Sequence, residues 1–422
     1  MTSFSLLLWI ASGITLQLAI FLGIGFWHHW LDYQALSSRA TELDFPVMPK
    51  DAENAAIAAW PGFRTFKVER KIIEDAAQSV CSFYLMPEDA QPLPPFLPGQ
   101  FLTFRLDMPN AIGGTEQVIR CYSLSDAPRP DCYRVSIKRA SPPTGSHFPP
   151  GRSSTYFHDQ VAVDTRLQVR APGGHFHIDR SNAPVVLVGG GIGITPMLSM
   201  LNWCLAEQPE REIWLFYGVR NGVELVMRPH LEALAAAHPN FHLWMCLSNP
   251  QPEDLHQRNY LHQGRIDAKL LRMHLPLKPY HFYICGPTPL LESLVPALEE
   301  WGVPEAHIHF EAFGPSSIKR KHPAATSVAA SQAEASAGEI VVTFANSGKQ
   351  LPWQPAAGNL LQFAESYGIA VDSGCRAGSC GSCQTTIRAG EVAYRQPPDF
   401  DPEPGACLLC VCTPKTSVTL EV

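Results

Sequence analysis

Ser373-Gly-Cys375-Arg-Ala-Gly-Ser-Cys380-Gly-Ser-Cys383 sets three cysteines at the spacing C-x4-C-x2-C. A short loop with this spacing supplies three thiolates of a [2Fe–2S] cluster, and the fourth comes from further along the chain. The loop must turn tightly and keep bulk away from the irons, and Gly374, Gly378 and Gly381 give it that freedom. Ser379 and Ser382 add amide and hydroxyl donors for the sulfurs. A zinc site or a set of reactive thiols is the competing reading; the glycine-rich loop with further cysteines downstream speaks against it. The fourth ligand is one of Cys407, Cys410 and Cys412. Strand alternation would put Cys410 and Cys412 on one face, so geometry leaves the choice open.

The chain has 422 residues, 45% apolar and 17% charged, enough for about three domains with real cores. A net charge of −7 without any basic footprint excludes nucleic acid as a partner. The 12 cysteines are scattered. Beside a thiolate-bound cluster, a reducing cytosolic setting suits them better than a disulfide framework.

Phe4 to Trp27 carries no charged residue and exceeds the roughly 20 residues that cross a bilayer. Trp27, Trp30 and Tyr33 gather at its end as an aromatic belt does. A cleaved signal peptide would need a basic start and a small-residue cleavage site, and neither is present. Residues 4–30 are therefore expected to form a transmembrane helix. His28 and His29 read as interfacial residues rather than haem ligands. Residues 31–59, with extended Asp44-Phe-Pro-Val-Met-Pro-Lys50, read as a juxtamembrane linker.

From 60 to 178, strand-like runs at Phe63–Lys71, Ser79–Leu85, Gln100–Leu106, Gln117–Ser123 and Tyr133–Arg139 alternate with proline-rich breaks. This pattern predicts an antiparallel barrel. From 179 to 315 the pattern turns to βα. Ala183-Pro-Val-Val-Leu-Val188 suits a parallel strand buried on both faces. It feeds Gly189-Gly190-Gly191-Ile-Gly193-Ile-Thr195-Pro196 and a helix over Met197–Glu207, a turn that offers backbone N–H groups and a positive helix end to phosphate. Strands are expected at Glu212–Gly218, Phe241–Ser248 and His281–Cys285, and a helix at Leu231–Ala237. Ser316 to Gly338 is a low-complexity Ala/Ser/Pro stretch after a small basic run, expected as a flexible linker over 316–338. Beyond it, a hairpin (Glu339–Phe344, Lys349–Trp353), a helix from Asn359 to Ser366 and strands at Gln384–Ile387 and Ser417–Val422 complete a unit over 339–422.

These motifs together resemble the ferredoxin–NADP reductase superfamily. Arg120-Cys-Tyr122-Ser123 matches its R-x-Y-S, Gly151-Arg-Ser-Ser154 its G-x-x-S, and Gly174-His-Phe176 its G-x-F. Gly189–Pro196 matches its pyridine-nucleotide loop, Cys285-Gly286-Pro287 its C-G-P turn, and His309-Phe-Glu311-Ala-Phe313 its closing strand. Gly405 to Pro414 resembles the closing segment of plant-type ferredoxins, where a proline follows the ligand by four residues, and this selects Cys410. The order of the units is that of the phthalate dioxygenase reductase family.

The resemblance implies a multidomain fold: a flavin β-barrel (60–178), an α/β parallel-sheet NAD(P)H domain (179–315) and a β-grasp [2Fe–2S] domain (339–422), behind the N-terminal helix. It implies that Arg120 holds a flavin phosphate, Tyr122 packs on the isoalloxazine and Ser123 hydrogen-bonds near N5. Gly151 and Ser154 would serve a pyrophosphate, which favours FAD over FMN, and Lys138 would lie beside it. Gly174 and Phe176 complete that site. Gly190, Gly191, Gly193, Thr195, Pro196, Gly286 and Pro287 would hold the nucleotide, with Cys285, Glu311 and Phe313 at the nicotinamide and flavin. Arg220 would favour NADPH and Glu224 NADH, and the stretch looks more like that of NADH-using oxygenase reductases. Cys375, Cys380, Cys383 and Cys410 would be the cluster ligands. The implied activity carries electrons from NAD(P)H through FAD and the cluster to an oxygenase, desaturase or cytochrome. Because a nicotinamide-using domain belongs in the cytoplasm, a single-pass cell-membrane protein with cytoplasmic catalytic domains is expected. A quinone-reducing membrane dehydrogenase and a membrane-tethered redox sensor are the alternatives.

Overall fold

The computed structural model describes Trp9, Gln17 and Trp60, then residues 62–110, 113–142, 149–257, 260–313 and 340–374. It also describes Arg376, Gly378, residues 380–394, Pro398 and residues 400–422. The linker expected over 316–338 and the stretch 31–59 lie outside the described residues. Two compact units divide at Lys50 and Asp51; the architecture below is that of Asp51–Val422.

Six antiparallel strands form the first sheet: β1 (Phe63–Ile73), β2 (Val80–Pro87), β3 (Phe101–Pro109), β4 (Thr115–Ser123), β5 (Tyr133–Lys138) and β6 (Arg166–Gly173). Their order is β4-β3-β6-β1-β2-β5. The expected antiparallel barrel is an open half-barrel, with the Leu124–Val135 bridge between its edges. Helix α1 (Arg152–Asp159) plugs it, and Phe157 makes edge-on contacts with Phe83, Phe104 and Tyr122. The alternating inward residues Phe66, Val68, Phe83, Leu85, Phe104 and Leu106 fill the core.

The second sheet is wholly parallel. Its strands are β7 (Val185–Gly190), β8 (Ile213–Val219), β9 (Phe241–Leu247), β10 (His262–Gln263), β11 (His281–Gly286) and β12 (Ile308–Ala312), in the order β10-β9-β8-β7-β11-β12. β7 lies between β8 and β11, and every one of its residues is buried, as its unbroken apolar run requires. Helix α2 (Ile194–Glu207) follows β7 and packs on one face with Met197, Leu198 and Leu201. After β8 come α3 (Arg228–Ala237) and, beyond β9, α4 (Pro252–Gln257). On the other face, α5 (Ala268–His274) and α6 (Thr288–Glu300) bury Leu270, Leu271, Leu291, Leu294 and Leu298.

The last unit pairs β13 (Val341–Phe344), β14 (Lys349–Pro352), β15 (Gln384–Ala389), β17 (Ala406–Leu408) and β19 (Val418–Leu420) in the order β14-β13-β19-β15-β17. A separate ribbon joins β16 (Val392–Tyr394) and β18 (Cys412–Pro414). Helix α7 (Leu360–Ser366) starts where expected, because the Asn359 side chain accepts from the Gln362 N–H at 2.8 Å.

Backbone bonds join the first two units. Ala77 N–H donates to the Val223 carbonyl and Met227 N–H to the Glu74 carbonyl, each at 2.9 Å. The Ser199 hydroxyl also donates to the Asp126 carbonyl at 2.7 Å.

The expected membrane attachment is corrected. Among the described residues no helix is long and apolar enough to cross a membrane, which removes the basis for the transmembrane helix, the single-pass cell-membrane placement and the membrane as partner. Of residues 4–30 only Trp9 and Gln17 are described, both helical and exposed. An apolar run records a preference for leaving water; it does not record whether lipid or protein provides the alternative.

Candidate functional site

A cavity of about 240 Å³ has walls from the half-barrel, the parallel-sheet unit and the cluster loop. The half-barrel contributes Arg120, Tyr122, Ser123 and Lys138; the parallel-sheet unit contributes Ile192, Thr195, Glu311 and Phe313; the cluster loop contributes Gly374 and Arg376. The structure thus brings together seven expected residues: Arg120, Tyr122, Ser123, Lys138, Thr195, Glu311 and Phe313.

Tyr122 and Ser123 stand at the end of β4, where the pleat turns them to opposite faces. The Tyr122 ring meets Phe157 edge-on at 5.1 Å and Phe104 at 5.8 Å, which fixes its plane. Burial raises its phenol pKa far above the ordinary value, so it stays neutral. Arg120 is partly desolvated, which lowers its pKa. Its Nη1 donates to the Ile119 carbonyl at 2.7 Å and lies 3.5 Å from the Ser373 carbonyl.

Lys138 Nζ donates to Glu224 Oε2 at 3.1 Å, and Arg220 Nε donates to Glu224 Oε1 at 2.7 Å. One nearly buried carboxylate therefore serves two cations, one from each unit. Gly151, Ser154, Gly174 and Phe176 do not line the cavity. The Ser154 hydroxyl is already used within the chain, accepting from Ala140 N–H and donating to the Gly151 carbonyl, both at 3.0 Å.

The nucleotide loop owes its glycines to two different needs. Gly191 has φ +55° with open space where a side chain would stand, so its requirement is conformational. Gly193 has ordinary helical torsions, but a Cβ there would come within 2.7 Å of Gly286 N and closer still to the Cys285 carbonyl. Two expected motifs, the glycine loop and Cys285-Gly286-Pro287, are thus packed backbone to backbone. Thr195 Oγ1 donates to the Ile192 carbonyl at 3.0 Å and closes the turn into α2. Cys285 pairs in register with Glu311. Burial and then the Glu311 charge push the Cys285 thiol pKa well up, so it remains protonated.

Cys380, Cys383 and Cys410 are all buried; Cys375 lies outside the described residues. A hydrogen bond from Cys410 lowers the Cys383 pKa, against the effect of burial. Cys410 sits in the turn after β17 and Cys412 opens β18, so the expectation of one shared strand face is corrected: the turn separates them. Cys412 is hydrogen-bonded to Cys407, which with burial raises its pKa. The Cys380 sulfur is 3.3 Å from the Ser382 hydroxyl. A Cβ at Gly374 would come 2.9 Å from the Cys380 sulfur, so the loop is shaped around its sulfurs. Among the described residues no three His, Cys, Asp or Glu side chains are placed to hold one metal ion; thiolates shared by two irons do not converge on one point.

Sequence reasoning missed Arg376 and Gly374 as cavity residues, although both lie inside the quoted cysteine loop. It also missed Arg170, whose Nη1 donates to the Cys380 carbonyl at 3.2 Å; nothing local in the sequence signals a bond between residues so far apart.

Residues 187–295 match the oxidoreductase NAD-binding domain family, and residues 342–415 match the 2Fe-2S iron-sulfur cluster binding domain family. The flavohemoprotein of Bacillus cereus is 38% identical over 258 residues, 61% of this chain and 62% of that protein. The chain therefore spans about 62% of the length of the curated relatives it matches first. The flavohem-like FAD/NAD-binding domain of nitric oxide dioxygenase from Vibrio cholerae O1 biovar El Tor is 32% identical. It aligns over 60% of this chain and all of its own with a TM-score of 0.53. Phthalate dioxygenase reductase, a modular structure for electron transfer from pyridine nucleotides to [2Fe–2S], aligns over 86% of this chain and 98% of its own. Its TM-score is 0.52 at 26% identity.

The donor set, the shaped loops and these likenesses agree on FAD, NAD(P)H and a 2Fe-2S cluster as cofactors. The chain belongs to the ferredoxin-reductase-type NAD(P)H oxidoreductases, with an FAD/NAD-binding reductase unit joined to a C-terminal 2Fe-2S domain.

Proposed function

We propose that the protein draws electrons from NADH and delivers them one at a time to a separate acceptor protein of the oxygenase, desaturase or cytochrome type. The observation that carries this reading is the three-walled cavity, where the cluster loop faces Tyr122, Ser123 and Glu311 directly. Bound there, a flavin takes a hydride and gives its electrons up singly, and the iron–sulfur cluster carries one electron at a time.

The chain's own residues supply position and field. The Tyr122 ring, fixed by Phe104 and Phe157, offers a flat apolar face for the isoalloxazine. Ser123 lines the same cavity as Glu311. The N–H groups opening α2 receive the nucleotide phosphates. Cys285, kept as a neutral thiol, is buried beside Glu311 in the β11–β12 ladder without competing as a nucleophile. Arg120, Lys138 and Arg376 make the cavity electropositive, as a phosphate-bearing cofactor and an anionic reduced state require. Cys375, Cys380, Cys383 and Cys410 are the ligands in this reading.

Preference for NADH follows from Glu224, which occupies Arg220 and leaves that cation less available to a 2′-phosphate. The likeness to proteins whose name joins flavin to haem favours a haem-containing acceptor over a quinone.

The test is anaerobic stopped-flow reduction of the loaded protein by NADH and by NADPH. Flavin absorbance and the electron paramagnetic resonance of the reduced cluster are followed together. Flavin bleaching succeeded by a [2Fe–2S] signal is expected, faster with NADH. An intact cluster that stays oxidised while the flavin bleaches would remove it from the route and refute the proposal.

A further inference from the structure

The half-barrel sends a buttressed cation to the cluster loop. Arg170 lies on β6, opposite Phe63 on β1. Its guanidinium stands 5.0 Å from the Phe63 ring centroid, and Arg105 stacks on the same ring at 4.5 Å. From this support Arg170 Nη1 donates to the Cys380 carbonyl at 3.2 Å. A strand pair and an aromatic ring therefore set the position of the charge, and the loop comes to it.

A carbonyl needs only a neutral N–H donor. A guanidinium brings a full positive charge to the peptide of a cysteine assigned to the cluster, in a largely buried place where charges act with less screening. The other cations near this loop have different anchors. Arg120, on β4, bonds its own neighbour Ile119 and lies 3.5 Å from the Ser373 carbonyl, which belongs to no ligand, and Arg376 pairs with Glu365 inside the last unit. Arg170 is the one among these three held by β1 and β6 while bonded to a ligand's peptide.

The geometry points to Arg170 as a positioning residue that sets the electron affinity of the iron–sulfur site only while the cluster loop is seated on the half-barrel. The inference rests on the assignment of Cys380 as a ligand. Reduction adds one electron, supplied by NAD(P)H, and one unit of negative charge to the site. No covalent bond forms or breaks. Seated, the loop feels the charge and the reduced state is favoured. Unseated, it loses the charge and yields the electron more readily to an outside acceptor. The direction of flow is thereby built into the contact. At an effective dielectric near 20, a unit charge changes the electron-sharing equilibrium about ten-fold from roughly 12 Å and by more from nearer; for one electron, ten-fold corresponds to about 59 mV.

The experiment uses the full, cofactor-loaded chain with Arg170→Gln and Arg170→Lys. The midpoint potential of the cluster is read by redox titration with electron paramagnetic resonance, beside the rate of flavin reduction by NADH. Arg170→Gln keeps an N–H donor without charge and is expected to lower the potential by the equivalent of ten-fold. Arg170→Lys should recover most of the loss, and flavin reduction should be unchanged in both. Equal potentials in all three proteins overturn the inference, and so does an equal fall in both variants, which would mark a purely steric role. Phe63→Leu, which loosens the buttress, should move the potential the same way by less; no movement there also counts against it. Cys380→Ser separates the two levels of the argument: if it keeps the cluster signal, the ligand assignment has failed rather than the role of Arg170 alone.

Discussion

Replacing Gly193 by alanine should damage the protein more than replacing Gly191, although Gly191 is the residue with the unusual backbone. At Gly191 an alanine meets no atom within 4 Å and must only adopt φ +55°, a cost of about 1 kcal/mol. At Gly193 the torsions suit alanine, but the new methyl would lie 2.7 Å from Gly286 N and nearer to the Cys285 carbonyl. Those atoms belong to β11, whose Cys285 is in register with Gly189 on β7 and Glu311 on β12. They cannot retreat the roughly 0.7 Å (amide nitrogen) to 1.2 Å (carbonyl oxygen) needed to reach ordinary contact without disturbing both ladders. Overpacking against backbone costs about 2–3 kcal/mol. If this falls on the nucleotide-binding geometry, NADH binds roughly 30- to 100-fold more weakly. If it falls on folding, the parallel-sheet unit melts some 5–10 °C lower, at roughly 2–4 °C per kcal/mol. Titration of each variant with NADH, followed by flavin bleaching, and differential scanning calorimetry read the two possibilities. The cluster spectrum after dithionite reduction should be unchanged, since Gly193 touches nothing in the last unit. A Gly193→Ala protein with wild-type melting and NADH affinity, or one less affected than Gly191→Ala, would refute the close-approach argument.

Three further outcomes are expected. Cys410→Ser should abolish the iron–sulfur absorbance, while Cys407→Ser and Cys412→Ser, which disturb a separate thiol pair, should keep it; bleaching by Cys412→Ser would reassign the fourth ligand. Glu224→Gln frees Arg220 and Lys138 from their shared carboxylate, so the kcat/KM ratio for NADPH over NADH should rise about ten-fold, the worth of one charge-assisted bond to phosphate; a ratio that stays put would show that Glu224 does not govern the choice. His281, His307 and His309 stack at the start of β11 and β12, and burial lowers all three pKa values, His309 to about 4. The unfolded chain takes up these protons first, so stability is full above about pH 6.5 and is lost as pH falls toward 4, by up to about 3 kcal/mol from His309. His309→Phe should flatten the melting temperature between pH 7 and 5, and an unchanged slope would locate the acid sensitivity elsewhere.

Local patterns were legible in the sequence. The cysteine loop, R-x-Y-S, the glycine-rich turn after β7 and the Asn359 cap each depend on a few consecutive residues whose chemistry dictates their geometry. Strand positions were legible for the same reason, since β7 reads as buried from its apolar run alone. What the sequence hid depends on partners distant in the chain. Arg211 looks like a surface residue after α2, yet its side chain is wholly buried, donating to the carbonyls of Ala183 and Asp179 and to Asp179 Oδ2. The same distance hid Arg170 on Cys380 and the sharing of Glu224 between two units. The turn between β17 and β18 was hidden for another reason: alternation assumes a continuous strand, and Cys410 breaks it. Hydropathy at residues 4–30 measures aversion to water and is silent on what replaces the water.

The third wall of the cavity also bears on dioxygen. Gly374 and Arg376 line a side of it that belongs to neither the half-barrel nor the parallel sheet. A reduced flavin meeting dissolved oxygen passes its electrons to O2, which becomes superoxide or peroxide, so on the proposed function this wall bears on how much reducing power reaches the acceptor. A chain shortened before residue 340 would keep its nucleotide chemistry and become a leaky oxidase. On the proposed function, the loop that holds the electron carrier is also part of the wall of the vessel it empties.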